Sequence, residues 1–194
     1  MENVLLSYQQ KCVSSLEDLE KLVRELRSKN LKVVLTSGTF DILHVGHGRY
    51  LSLAKTFGDR LVVGLDSDAK VRMRKGSHRP VVNEGERAEM LTYLAAVDVL
   101  YVKQLDDPKW ALIRAVRPDV LIISKRNTYN EEEVLELEKL CGSITILESQ
   151  AETSTTARIR SLILSSVAPL LQEFEMLEQH LNLMKEKLKE ITGG

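Results

Sequence analysis

The sequence predicts an α/β fold: a doubly wound, five-stranded parallel sheet followed by a helix with heptad patterning. Three observations carry this. Short runs of continuously apolar, β-branched residues recur along the chain, segments of helical length and spacing separate them, and beyond the last run the apolar residues switch to alternating spacings of four and three. Strands apolar along their whole length are buried on both faces, which requires helices on both sides of a parallel sheet.

The elements follow in order. Ser15 precedes Leu16, Leu19, Leu22, Val23 and Leu26, with Asp18 three residues after it, so an amphipathic helix with a capping-box-like start is expected, ending near Asn30. Strands are expected at Lys32–Thr36, Arg60–Leu65, Asp98–Val102, Asp119–Ser124 and Ser143–Leu147. Ile163, Val167, Leu170, Phe174, Leu177, Leu181, Met184, Leu188 and Ile191 then form a heptad seam, with Pro169 suited to a first turn and Gly193-Gly194 closing the helix. A lone helix leaves such a seam in water, so it either docks on its own domain or pairs with a second chain; a homodimer is the favoured expectation. The expected organisation is a helix packed on the core in residues 1–30, the main domain in 31–164 and the seam helix in 165–194.

The 194 residues suit one catalytic domain with a small appendage, and the 43% hydrophobic and 28% charged composition excludes wholesale disorder. Twenty-seven Lys plus Arg against 28 Asp plus Glu give a net charge of -1. No global field draws in nucleic acid or an anionic membrane, and neither is expected as a partner. No apolar run approaches the roughly 20 residues of a membrane span, and the Met-Glu-Asn-Val start has no basic character, so a soluble, cytoplasmic protein is expected. Cys12 and Cys141 have no metal-ligand or disulfide spacing and read as buried or incidental thiols.

In a doubly wound sheet the ligand site lies beyond the C-terminal ends of the strands. There the first strand runs into Ser37-Gly38-Thr39-Phe40-Asp41, and His44-Val45-Gly46-His47 opens the next helix. Free N–H groups and the positive end of the helix dipole favour phosphate, and Gly38 and Gly46 let oxygens approach the main chain. Histidines at i and i+3 face one side, so both rings reach oxygens of one polyphosphate without a protein-held metal. For an isolated His-x-x-His, a helix cap and a satisfied polar group explain the residues as well. Neither a Gly-x-Gly-x-x-Gly fingerprint nor a Walker A loop follows this strand.

Gly38-Thr39-Phe40-Asp41 followed by His44-Val45-Gly46-His47 resembles the signature of the cytidylyltransferase-like nucleotidyltransferases, and Thr153-Ser154-Thr155-Thr156-Ala157-Arg158 resembles their second motif. The resemblance implies a Rossmann-like nucleotidyltransferase fold and transfer of a nucleoside monophosphate from a triphosphate, with Mg2+, to a phosphorylated acceptor. It assigns His44, His47 and Lys75 to catalysis. Nucleotide binding falls to Ser37, Gly38, Thr39, Phe40, Asp41, Gly46, Asp66, Arg87, Ser154, Thr155, Thr156 and Arg158. A surface charge on a helix explains Arg87 almost equally, and Asp68 reads as a helix cap or a ligand contact. Lys70, Arg72, Arg74, Lys75, His78 and Arg79 make a local basic cluster in what the resemblance implies is a mobile loop.

From Ser15 through Ile159 the chain is most similar to the heptose 1-phosphate adenylyltransferases, which implies ATP as donor and a sugar phosphate as acceptor. The resemblance is to the nucleotidyltransferase half of bifunctional enzymes, so a separate kinase is expected to supply the sugar 1-phosphate. Two departures bear on specificity. Ser124-Lys125-Arg126-Asn127-Thr128-Tyr129 stands where those enzymes have Lys-Gly-Gly-Asp and an aromatic, and Lys125 and Arg126 suit an anionic acceptor. Thr39 replaces their usual cysteine and matches glycerol 3-phosphate cytidylyltransferases and archaeal FAD synthetases. A CTP-dependent transferase acting on a polyol phosphate, an FAD synthetase and a non-catalytic nucleotide-binding assembly protein are therefore the alternatives.

Overall fold

A computed structural model describes residues 8, 10–124, 129–148, 150 and 155–192; in the last helix the side chains of 155–160, 166, 168, 172 and 189–192 are outside the description. The chain divides into two compact units, residues 1–152 and 153–194.

The first unit holds a parallel sheet of six strands: β1 (Cys12–Val13), β2 (Val33–Gly38), β3 (Arg60–Asp66), β4 (Val99–Lys103), β5 (Val120–Ser124) and β6 (Ile144–Leu147). Their order is β1-β4-β3-β2-β5-β6. The expected five are present; the sixth, β1, adds an edge through Cys12 opposite Leu100 and Val13 opposite Tyr101. Two residues are too few to display a period, so tertiary pairing alone makes this strand.

The connecting helices are α1 (Leu16–Ser28), α2 (Val45–Lys55), α3 (Asp68–Lys75), α4 (Glu84–Thr92), α5 (Ala111–Val116) and α6 (Glu131–Glu138). Ser15 caps α1, its Oγ accepting from the Asp18 amide at 3.1 Å and donating to the Asp18 carboxylate at 2.7 Å. Alternate strand residues feed two cores. Val33 and Leu35 pack with Leu19, Val23 and Leu26 of α1 and Leu112 and Val116 of α5, whereas Val34, Leu61 and Val63 pack with Leu51 and Ala54 of α2 and Ala88 and Leu91 of α4. All are under a tenth exposed, and at about 2 kcal/mol per buried aliphatic side chain these two layers are the main stabilising term.

The chain winds from β2 outward to β3 and β4, then crosses to β5 and β6. The switch point lies between β2 and β5, and in such sheets ligands bind beyond the strands' C-terminal ends there. Two further departures from expectation concern the site. β2 continues to Gly38, so Ser37 and Gly38 are strand residues; and Lys75 is the last residue of α3, not part of a loop. Ser67 begins that helix by accepting from the Lys70 amide, and Gly76, at φ 91°, ends it in a conformation only glycine adopts readily.

The second unit is α7 (Thr155–Thr192), one helix of 38 residues. Pro169 lies in its interior, not in a first turn, because the four-and-three apolar spacing continues upstream through Ile163. The proline deprives the Ser165 carbonyl of a donor. Gly193 and Gly194 lie outside the described residues. No helix among the described residues is long and apolar enough to cross a membrane.

Candidate active site

The segment after β2 is built around a sharp reversal at Phe40, whose φ of 45° puts a bulky residue in the left-handed region. Such a conformation costs roughly 1–2 kcal/mol and persists where the surroundings impose it. Here the ring folds back over Gly38, where a Cβ would lie 2.9 Å from it, and meets His47 edge-on at 5.5 Å between centroids. Gly38 is therefore required by the phenylalanine's return path.

His44 is the N-cap of α2 with extended backbone, and its Nδ1 accepts from the Gly46 amide at 3.1 Å. His47 reaches back so that its Nδ1 accepts from the His44 amide at 3.4 Å. The two rings stack with centroids 4.0 Å apart and planes 29° from parallel. This is a capping box made of two imidazoles. Because each Nδ1 accepts, each neutral ring carries its proton on Nε2, and the pair sits where the helix dipole favours anions. Helix capping thus engages the Nδ1 atom of each ring.

Beside this helix, Asp66 ends β3 with its side chain 1% exposed. Arg74 Nη2 lies 2.5 Å from its Oδ2, Lys103 Nζ lies 3.0 Å from its Oδ1, and Thr39 Oγ1 donates to Oδ2 at 3.2 Å. Burial pushes the Asp66 carboxyl up, but Lys103 and Arg74 outweigh it and hold its pKa below the ordinary value. Lys75 Nζ donates to Thr39 Oγ1 at 3.0 Å, as does Arg74 Nη2. Burial, with Arg74 and Arg79 nearby, lowers the Lys75 pKa. Thr39 is thus the hub through which both cations reach the end of β2.

Arg87 is 1% exposed and works from beneath. Its Nε donates to the Val82 carbonyl at 2.8 Å, its Nη1 to the carbonyls of Thr39 and Asp66 at 2.6 and 2.9 Å, and its Nη2 to Asp68 Oδ1 at 2.7 Å. A surface charge is excluded. Asp41, also buried, accepts from the amides of Val81 and Val82 at 2.8 and 3.0 Å and pairs with Arg79 at 3.1 Å. Asp68 is not the cap of α3; Ser67 is, and Asp68 receives Arg87 instead.

The structure therefore brings together His44, His47, Gly46, Ser37, Gly38, Thr39, Phe40, Asp41, Asp66, Lys75 and Arg87 around the ends of β2 and β3. Lys125, Arg126 and Ser154 lie outside the described residues. Thr155, Thr156 and Arg158 open α7, and their side chains are likewise outside the description. Sequence reasoning gave Arg74 and Arg79 no role beyond a basic cluster and did not single out Lys103. Lys103 is the register partner of Asp66 on the adjacent parallel strand, a relationship visible only once strand order is known.

A family model for cytidylyltransferase-like proteins matches residues 35–164. A bifunctional protein HldE from Wolinella succinogenes is 40% identical over 153 residues, covering 78% of this chain and 32% of that protein. HldE from Helicobacter pylori strain Shi470 is 42% identical over 144 residues, 74% of this chain and 30% of the relative. The chain thus spans about a third of the length of these curated relatives. Among solved structures, a lipopolysaccharide core biosynthesis protein from Thermoplasma volcanium is similar with a TM-score of 0.53 and 28% identity, covering 64% of this chain and 99% of that one. A pantoate-beta-alanine ligase from Francisella tularensis shares the fold at a TM-score of 0.53 and 14% identity, over 74% of this chain and 68% of that one.

Proposed function

The chain belongs to the cytidylyltransferase-like family, and from that premise we propose that it transfers AMP from ATP to a sugar phosphate of the heptose 1-phosphate type, releasing pyrophosphate. The observation that carries this is the stacked His44–His47 pair at the start of α2, with both Nδ1 atoms accepting from helix backbone amides. The similarity to HldE over most of this chain supports a sugar phosphate as acceptor.

In this reading an acceptor phosphate oxygen attacks the α-phosphorus of the triphosphate in line. The new O–P bond forms as the bond to the bridging oxygen breaks, and pyrophosphate carries away the electron pair. No covalent enzyme intermediate is needed. His44 and His47 donate from Nε2 to the α-phosphoryl oxygens, where charge builds, and Lys75 turns from Thr39 to the phosphates. Ser37, Gly38, Thr39, Phe40 and Gly46 form the cradle. Arg87 and Asp41 hold its shape, and Asp66 positions Arg74 and Lys103. Ser154, Thr155, Thr156 and Arg158 complete the triphosphate site, and Lys125 and Arg126 receive the acceptor.

A divalent cation held by the protein does not fit the described residues. Asp41 and Asp66, the carboxylates at the crevice, are committed to Arg79 and to Arg74 with Lys103, and no group of three or more His, Cys, Asp or Glu gathers among the described residues. Mg2+ belongs to this reading as part of the substrate, complexed to the triphosphate. A cytoplasmic location, where nucleoside triphosphates are available, and a homodimer joined by the α7 seam complete the proposal.

One observation favours a second reading. Thr39 gathers Lys75, Arg74 and Asp66 on one hydroxyl, and threonine at this position is shared with CTP-dependent enzymes acting on glycerol 3-phosphate as well as with archaeal FAD synthetases. Calorimetric titration with ATP and with CTP, each with Mg2+, separates the two. The wild type is expected to bind ATP more tightly and the His44→Ala/His47→Ala variant to lose most of that affinity; preference for CTP establishes the second reading, and binding of neither contradicts both.

A further inference from the structure

The exposed seam of α7 carries an orientation code. Leu170, Phe174, Leu177, Leu181, Met184 and Leu188 lie along one side of the helix, each more than half exposed. Taking Phe174, Leu181 and Leu188 as one core position of the heptad and Leu170, Leu177 and Met184 as the other, the flanking residues are Glu173, His180 and Lys187 on one border and Leu171, Glu178 and Lys185 on the other. Acids thus precede bases along both borders.

We infer that α7 pairs with α7 of a second copy of this chain in antiparallel orientation, centred near Gln179, with Glu173 opposite Lys187 of the partner subunit. The inference rests on the homodimer proposed above and specifies its geometry. In a parallel pair, a border residue faces the opposite border of the partner five positions further on. Glu173 then meets Glu178 of the partner subunit, twice by symmetry, and His180 meets Lys185 of the partner subunit; no acid meets a base. In an antiparallel pair each border faces itself, so the acid-first, base-last order becomes complementary.

Among antiparallel registers, apolar overlap and border charge decide together: opposing Ile163 to the partner's Leu188 covers as many seam positions as the register centred on Gln179, but sets Glu173 against His180 of the partner subunit and makes no acid–base pair. Centring on Gln179 opposes Leu170 to the partner's Leu188, Phe174 to the partner's Met184 and Leu177 to the partner's Leu181, and extends the seam from Val167 to Ile191. Shifting the centre toward the C-terminus brings Glu178 against Lys185 of the partner subunit instead but pairs only the six seam positions from Phe174 to Ile191 with one another. Burial of even one such side chain outweighs an exposed ion pair. The chosen register leaves one like-charge contact, Glu178 with its own copy, against two in the parallel form.

The test uses the full chain and reads sign as well as size. In sedimentation equilibrium, Glu173→Lys is expected to weaken the dimer about tenfold, since two ion pairs become two Lys–Lys contacts, and adding Lys187→Glu to the same chain is expected to restore it. In a parallel dimer Glu173→Lys would instead tighten association by removing the Glu–Glu contact. A spin label at Ser165→Cys, with Cys12 and Cys141 changed to serine, gives an independent distance. Antiparallel pairing separates the two labels by about 42 Å along the axis, whereas parallel pairing keeps them within about 20 Å. A tighter Glu173→Lys dimer or a short label distance overturns the orientation and leaves the homodimer standing; a wild-type monomer overturns both.

Discussion

Arg87 donates to the carbonyl of Thr39 across 48 residues of sequence, at 2.6 Å, and the same nitrogen reaches the carbonyl of Asp66 at 2.9 Å. One buried guanidinium therefore fixes the ends of β2 and β3 relative to each other, and these two ends carry the residues that surround the crevice. The cationic layer above, Lys75, Arg74 and Lys103, depends on this clasp because Thr39 and Asp66 are its anchors.

Arg87→Met is expected to lower the unfolding free energy by about 3 kcal/mol or more, because several buried carbonyls and Asp68 lose their donor together. Arg87→Lys recovers part of this, since one ammonium cannot reach all four acceptors in the same geometry. Urea denaturation of the three proteins checks the order. An Arg87→Met midpoint equal to that of wild type would show that the clasp has no structural role.

Asp66 gives the fold an acid sensitivity. Its pKa is depressed in the native state, so its contribution is fully present above the ordinary carboxylate pKa of about 4 and is lost as pH falls through the lower native value. The melting temperature of wild type is expected to fall on acidification below about pH 4, with Asp66→Asn less stable at neutral pH but flatter on the acid side. Parallel acid limbs for the two proteins would place the sensitivity elsewhere.

Lys75 predicts a proton coupled to ligand binding. Burial and its cationic neighbours lower its pKa, and an arriving triphosphate raises it again, so binding takes up protons at alkaline pH, where the free lysine is partly neutral. Titration calorimetry in two buffers of different ionisation enthalpy should show net uptake that grows as pH rises toward the ordinary lysine range and that Lys75→Met abolishes. Uptake unchanged in the variant would remove Lys75 from contact with the phosphates.

The seam of α7 predicts that charge at Leu177 and Leu181, both exposed, dissolves the dimer: Leu177→Glu/Leu181→Glu should sediment as a monomer where wild type sediments as a dimer. Because these residues belong to the second unit, circular dichroism and melting of the sheet domain should be unaffected.

How far the sequence led differs between its parts. Ser15 with Asp18, and the paired histidines, were legible because capping and helix-start chemistry are local and repeat at fixed offsets. The two-residue strand Cys12–Val13 was not, since its only signature is the partner it finds on β4. Ser67 and Asp68 stand side by side, and either could cap a helix; only the position of Arg87 settles which one does. Lys103 and Arg79 became site residues through long-range ion pairs to Asp66 and Asp41, partners far away in sequence. Pro169 inside α7 shows the limit of reading breakers locally, because a sustained apolar seam carries a helix across one missing donor.

The central claim is that His44 and His47 serve nucleotidyl transfer, and pyrophosphate release tests it most directly. Wild type and His47→Ala would be compared with ATP, Mg2+ and a panel of sugar 1-phosphates, with CTP and glycerol 3-phosphate alongside and melting temperature recorded for both proteins. Loss of the cap costs only about 1 kcal/mol of stability, so the variant remains folded. The expected result is pyrophosphate release from ATP with a heptose 1-phosphate and a kcat lowered by about a hundredfold or more in His47→Ala. A folded His47→Ala protein with undiminished turnover, or a wild type that binds nucleotide but releases no pyrophosphate with any acceptor, would contradict it.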